Sequence, residues 1–293
     1  RDSPMGSPLR PSTRKKVMDV IDKYDYTPNA FARGMGLHSL KTIGILCADS
    51  SDLFLAKAVY FLEQELQANG YESLLCCTGY NPDIKKNYLN LILSKKVDSI
   101  ILVGSHFIGF NEDENQYIKD VSTQVPIMLL NASFDHPNVY STLCDDYGTM
   151  FEAATEMIQS GITDILYLYD SKSYSGLKKL HGFCDAMKEY NIPGFEKLIH
   201  FYDGNIEHLD EVADFVAHIA KKGTPFHGIM TSDDSLAIGS IKYAQKKGIR
   251  IPEELSVMGY NNSMLTNCCT PELTSVDNRL ETQTHQLVQT LLG

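Results

Sequence analysis

The sequence predicts two consecutive open parallel α/β sheets, each covered by helices on both faces, behind a short helical N-terminal segment. Three features predict this: strands that are almost wholly apolar, helices of about 10 to 16 residues between them, and a second run of the same pattern after residue 139. In the first run, residues 42–47, 71–77, 98–103 and 126–130 read as strands, and 54–69, 82–94 and 114–122 as helices. A connecting strand at 139–144 leads into the second run. There the strands are 165–169, 198–202, 228–231 and 255–260, and the helices are 147–160, 177–190, 208–222 and 235–247. Gly70, Gly161, Gly223 and Gly248 stand where four of these helices should end, as glycine accepts the left-handed backbone of a helix stop. A final helix spans 280–292. Open parallel sheets bind ligands beyond the carboxyl ends of their strands, so two facing lobes predict a cleft for a small molecule.

Length and charge set further bounds. At 293 residues and 43% hydrophobic, the chain can build two domains with substantial cores. No run of about 18 uncharged apolar residues occurs, and no basic stretch followed by an apolar one opens the sequence. A cytoplasmic protein without membrane contact is therefore expected. The seven cysteines are an odd set with no C-x-x-C pair, and several lie in apolar runs, so neither a disulfide framework nor a zinc site is expected.

Charge is unevenly placed. Residues 1–41 hold eight basic groups and four acidic ones, in a chain of net charge −11. An acidic body repels nucleic acid, so any DNA contact must come through this basic segment. Residues 1–9, with Met5-Gly6-Ser7, read as a leader or disordered. Ser12 or Thr13 can cap a helix that carries Val17, Val20 and Ile21 on one face and fades at Tyr24 to Tyr26. A second short helix begins at Pro28, where a missing N–H costs nothing. Gly34 and Gly36 each weaken it by about 1 kcal/mol relative to alanine, so it is expected to order only when held.

Several of these residues together carry a resemblance. Thr13-Arg14-Lys15-Lys16-Val17, then Tyr26-Thr27-Pro28-Asn29-Ala30-Phe31-Ala32-Arg33, then Thr42-Ile43-Gly44-Ile45 resemble the junction of DNA-binding domain, hinge helix and first strand in LacI/GalR-family transcriptional regulators. Further matches are Gly70-Tyr71, Val97-Asp98-Ser99-Ile100-Ile101, Gly182-Phe183, Asp234 with Ala237 and Gly239, Met258-Gly259-Tyr260-Asn261-Asn262 and Leu273-Thr274-Ser275-Val276. The resemblance implies a periplasmic-binding-protein-like fold of type I. It assigns residues 10–41 to a remnant of the DNA-binding domain plus the hinge helix, most of the helix-turn-helix being absent. It assigns 42–138 and 277–293 to an N-terminal lobe, and 139–276 to a C-terminal lobe. In this family the hinge folds on operator DNA and wedges an apolar side chain into the minor groove. Met35 would be that wedge, with Asn29 and Arg33 near phosphates. The family also implies a homodimer, for which Ala58, Val59 and Leu62 are interface candidates unless they face the sheet. Its members normally continue past the final helix, so some sequence is expected to lie outside this chain at both ends.

For the effector, the resemblance points to Asp52, Phe54, Leu55, Ser105, Asn131, Tyr174, Lys179, Ile206, Asp233 and Asn261. Polyhydroxylated ligands need convergent donors and acceptors beside an apolar platform. Lys179 stands where the family commonly has an arginine, and it lacks the planar fork that clamps a ligand bidentately. It can equally be a solvated helix lysine, Phe54 a core residue, and Asp233 a helix cap. Asp233, Asn131, Asn261 and Ile206 all depart from the residues usual at their positions. A small polar effector is expected, a sugar or sugar derivative rather than a purine.

Two other classes share some of these features. A solute-binding protein of a sugar transporter has the same two lobes but would carry a secretion signal and no Tyr26 to Arg33 junction. An enzyme finds little support: G-x-G-x-x-G, G-x-x-x-x-G-K-[ST], G-x-S-x-G and H-E-x-x-H are absent, and no two of the nine histidines have close ligand spacing. Asp145-Asp146 and Asp233-Asp234 fit helix capping better than paired catalysis, because adjacent side chains diverge. No cofactor, metal or catalytic residue is expected.

Overall fold

The central strands are buried along nearly their whole length, which demands a layer on both of their faces. The computed structural model describes residues 10–23 and 40–293 and divides into two units, 1–41 and 42–293. In the first unit, α1 (Pro11–Lys23) starts one residue before the expected cap. Pro11 fits the first helical turn, and the Thr13 and Arg14 N–H groups both donate to the Arg10 carbonyl. The candidate hinge, with Asn29, Arg33 and Met35, lies outside the described residues.

The second unit begins with β1 (Thr42–Cys47), α2 (Leu53–Ala68), β2 (Glu72–Cys77), α3 (Pro82–Ser94), β3 (Ser99–Val103), α4 (Gln116–Ser122), β4 (Ile127–Leu130) and β5 (Val139–Thr142). These strands form a parallel sheet in the order β2-β1-β3-β4-β5. Ile43, Ile45, Ile101, Val103, Met128 and Leu130 face Leu55, Ala58, Leu62 and Leu66 of α2 and Leu280, Leu287 and Val288 of the last helix. On the opposite face, Leu46, Ile100, Leu102, Ile127 and Leu129 meet Leu89 and Ile92 of α3 and Ile118 and Val121 of α4. Such two-sided burial explains why these strands read as unbroken apolar runs.

The pattern then repeats with α5 (Asp146–Gln159), β6 (Ile165–Tyr169), α6 (Tyr174–Glu189), β7 (Ile199–Phe201), α7 (Leu209–Lys221), β8 (Gly228–Thr231), α8 (Asp234–Lys247), β9 (Ser256–Tyr260), β10 (Thr274–Val276) and α9 (Leu280–Leu292). The second sheet runs β10-β9-β8-β6-β7, again all parallel. Read from the other edge, this is the strand order of the first sheet. On one of its faces Tyr167 stacks on Phe183 of α6, with ring centroids 4.6 Å apart. On the other, Leu166, Leu168 and Ile229 pack on α7 and α8.

The sequence boundary between lobes at 138/139 needs correction. β5 is no free connector: it pairs with β4 from Ile127↔Val139 to Leu130↔Thr142 and forms the edge of the first sheet. The chain therefore passes to the second lobe after Thr142, and α9 brings it back to the first. Two dimer candidates also fail. Ala58 and Leu62 are fully buried in the core and Val59 packs partly against it, whereas Leu53 and Tyr60 of the same helix are exposed.

One close approach shows how tightly the second lobe is built. At Gly182, α6 meets α5 so closely that an added Cβ would lie 2.3 Å from the Tyr147 carbonyl oxygen. Backbone cannot yield as a flexible side chain can, so the two helices must part to admit even a methyl group. Gly182→Ala is expected to cost about 1–3 kcal/mol, read as a lower urea midpoint. An unchanged midpoint would show that the α5–α6 contact carries little stability.

Candidate functional site

In sheets of this strand order, the helices that follow β1 and β3 leave on opposite faces, and a crevice opens between the carboxyl ends of those two strands. Both sheets have this point, and the residues beyond it line one cavity of about 140 Å3. Asp52, Phe54 and Leu55 follow β1, Tyr80 follows β2, Gly104 to His106 follow β3 and Asn131 follows β4. From the second lobe come Asp170, Ser171 and Ser173 of the β6–α6 turn, Ser175 and Gly176 in the first turn of α6, Ser232 and Asp233 after β8, and Asn261 after β9. An outer hollow of about 520 Å3 shares Asp52, Tyr80, Asp170, Ile206 and Asp233 with it and adds Asp49, Ser51 and Glu207.

Local geometry aims these groups. Asp52 caps α2 by accepting the Leu55 N–H at 2.8 Å, and its burial raises its carboxyl above the usual range. Gly104 has φ 102°, and a Cβ there would press on Leu55 and His106. Asn131 and Asn261, at equivalent positions after β4 and β9, are left-handed at φ 63° and 97°, a conformation asparagine tolerates better than most residues. Both turn the chain back across the end of its sheet.

The second lobe supplies a continuous polar network. Ser175 Oγ and Tyr260 Oη donate to the two carboxylate oxygens of Asp146, at 2.5 and 2.7 Å. Lys179 Nζ sits 3.8 Å from the Tyr260 ring centroid and donates to the Ser232 carbonyl at 3.0 Å, while Ser232 Oγ donates to Asp170 Oδ1 at 2.8 Å. Asp233 caps α8 through the Ser235 N–H and also accepts from Asn261 Nδ2 at 2.8 Å. Burial, with Asp170 beside it, pushes the Asp233 carboxyl up to about 7.

Among the described residues, Asn278 Nδ2 donates to Asn261 Oδ1 at 3.1 Å where the chain returns to the first lobe, and a second hydrogen bond joins the two walls of the cleft. Ser105 Oγ, after β3, donates to Ser173 Oγ at the start of α6 at 2.8 Å, and Ser171 Oγ donates to the same oxygen. Two buried polar atoms on the first-lobe wall have no hydrogen-bond partner, Asn131 Oδ1 and His106 Nε2. Burial and nearby Lys85 hold the His106 imidazole down at about 3, so it stays neutral. A larger hollow of about 780 Å3, beside α2 and residues 277–282, has no such unpartnered buried atom on its wall among the described residues.

Nine of the ten residues expected from the sequence to meet an effector thus surround one cavity: Asp52, Phe54, Leu55, Ser105, Asn131, Lys179, Ile206, Asp233 and Asn261. Tyr174 is the exception. It starts α6 between Ser173 and Ser175, which do line the cavity, but its ring lies beside Lys178 Nζ at 5.7 Å. Lys179 is buried and is no solvated helix lysine, while Asp233 acts both as helix cap and as cleft wall. The sequence reading missed Tyr80, His106, Asp170, Ser171, Ser173 and Ser232. A signal for most of them was present, because each follows directly on the carboxyl end of a strand already recognised. The adjacent acids diverge: Asp145 caps α5 while Asp146 points inward, and Asp234 accepts from the Ser263 N–H and Ser275 Oγ, away from Asp233. No cluster of metal-ligating side chains occurs among the described residues, and no described helix is long and apolar enough to cross a membrane.

Paired open sheets with polar strand ends converging on a shared cleft define a two-lobed protein of the periplasmic-binding-protein-like type. Residues 40–292 match the family described as periplasmic binding proteins and sugar binding domain of LacI family. The chain is 48% identical over 280 residues to an HTH-type transcriptional regulator of Lachnoclostridium phytofermentans, covering 96% of this chain and 83% of that one. It is 30% identical over 279 residues to catabolite control protein A of Priestia megaterium, covering 92% and 80%. A sugar-binding LacI-family transcriptional regulator from Escherichia coli, solved with phosphate, has the same fold with a TM-score of 0.74 at 24% identity, over 87% of this chain and 90% of that one. The chain belongs to the LacI family of DNA-binding transcriptional regulators, and its relatives are regulators, not enzymes.

The raised Asp233 carboxyl has a consequence for stability. An unfolded chain releases this proton near 3.8, whereas the folded protein holds it until about 7. Ionisation in the fold is thus opposed, and stability is lost as pH rises through that window. Asp233→Asn keeps a capping side chain and removes the titration. Its urea midpoint is expected to gain on the parent's between about pH 4 and pH 8; parallel profiles would show that Asp233 ionises normally.

Proposed function

We propose that this chain is the effector-sensing part of a transcriptional repressor that binds a small polar molecule, a sugar or sugar derivative, in the inter-lobe cleft. One observation carries the reading. Hydroxyl, carboxylate and amide groups from both sheets converge on a single cavity beside Phe54, Leu55 and Ile206, and the amide oxygen of Asn131 there is buried without a partner. Such a wall suits a ligand with many hydroxyls, each of which donates and accepts. Asp52, Ser105, Asn131, Lys179, Asp233 and Asn261 are the polar contacts assigned to it. Phe54, Leu55 and Ile206 supply the apolar platform, and Tyr174 acts only through its neighbours in α6.

The rest follows from family membership. The repressor acts in the cytoplasm on operator DNA as a homodimer, with residues 10–41 as the remnant of the DNA-binding domain plus the hinge and Asn29, Arg33 and Met35 at the duplex. Ligand held by both lobes favours their closed arrangement, and linkage requires that whatever closure does to operator affinity, operator does in return to ligand affinity. With Ala58 and Leu62 buried, the exposed Leu53 and Tyr60 face of α2 is the better candidate for the dimer contact.

Calorimetry of this chain against monosaccharides, disaccharides, uronates and nucleobases is expected to give saturable binding with at least one carbohydrate. Silence from every carbohydrate, or preference for a nucleobase, would overturn the sugar assignment. Light scattering at micromolar concentration is expected to give twice the chain mass, and a monomer would remove the homodimer.

A further inference from the structure

We infer that the effector carries a protonated amine on its hydroxylated frame, seated against Asp52, Asp170 and Asp233. This rests on the reading of the cleft as the effector site and narrows the chemistry of what enters it. The outer hollow is lined by five carboxylates, Asp49, Asp52, Asp170, Glu207 and Asp233, and by no lysine or arginine. Three of these continue into the inner cavity, where Lys179 is the one lysine or arginine on the wall. That ammonium is already engaged, by the Ser232 carbonyl and the face of Tyr260.

The second observation is independent of the acids. Asn131 is only 8% exposed, lines the same inner cavity, and holds its amide oxygen without a donor. An unmet acceptor and three close carboxylates ask for the same thing, a ligand rich in N–H and O–H donors. Tyr80 adds an aromatic ring to both hollows, a surface that also favours a cation.

Charge decides between ligand types. Burying carboxylates without a counter-charge is costly, and the Asp233 carboxyl already answers by holding its proton until about 7. A ligand ammonium would supply the missing charge. A neutral sugar would leave it missing, and a uronate or sugar phosphate would add to the repulsion at the mouth and within.

Calorimetry just below neutral pH, where hexosamines are protonated, tests this with matched probes: D-glucosamine and D-galactosamine against D-glucose, D-galactose and D-glucuronate. At least one hexosamine is expected to bind ten-fold or more tighter than its parent hexose, with glucuronate weakest. Asp170→Asn, whose amide can still accept from Ser232, is expected to cut the preference for hexosamine over hexose at least ten-fold. Hexoses binding as tightly as their amines, or glucuronate binding best, would overturn the inference and leave the cleft a carbohydrate site. An unaltered amine preference in the Asp170→Asn protein would overturn the seat. No binding by any of these sugars would overturn this inference, and the carbohydrate reading would then fall as well only if the wider panel of disaccharides and uronates were also silent.

Discussion

The whole arrangement depends on one constraint: a parallel sheet whose strands are apolar on both faces must be covered on both. Helices meet that demand in each lobe, and in doing so they take every lateral surface where a ligand could reach the sheet. What remains accessible is the row of strand ends. Because the two sheets share one strand order, the same kinds of position emerge from each, the turns after β1 and β3 on one side and after β6 and β8 on the other. The left-handed asparagines at 131 and 261 make the correspondence concrete, for each turns the chain after the fourth strand of its sheet and each lines the cleft.

Placing polar groups at those ends has a cost that the second lobe partly offsets. Asp146, Tyr260, Lys179, Ser232 and Asp170 form a chain in which nearly every buried donor finds an acceptor, and the Lys179 charge rests on an aromatic face. On the cleft wall the first lobe is the less satisfied, with Asn131 Oδ1 and His106 Nε2 unpaired, while Thr155 Oγ1, Tyr167 Oη and Gln283 Oε1 are unpaired away from the cleft. Unpaired buried polar atoms are normally removed by selection for stability.

The fold was legible because the signals that specify it are local. Apolar runs, glycine stops and helix lengths marked nearly all elements to within a few residues, since burial on both faces leaves no ambiguity of period. Errors arose where pairing, not composition, decides. Strand β5, with Tyr140 and Ser141 exposed, looks like a linker until its hydrogen bonds to β4 are seen. β10 is three residues long and passed unmarked. In α2, Ala58 and Leu62 fit a sheet-facing and an outward-facing stripe equally well, and only packing chooses. The site was legible for residues fixed by a motif and obscure for the serines and Asp170, whose types are common in any turn and gain meaning only from the strand end they follow.

The bond between Ser105 and Ser173 bears on how a ligand would govern the proposed effector cleft. A hydroxyl pair contributes a net of about 1 kcal/mol, because each partner exchanges water for protein. That is small beside the hydration of the many other polar groups on the facing walls. On the proposed reading, contacts made by a ligand to both walls would be large beside that one bond. A ligand can shift an equilibrium between closed and open arrangements only by its differential affinity for the two. Groups spread over both sheets would make the differential large for the ligand proposed above, since a ligand on one wall alone would reach only part of them.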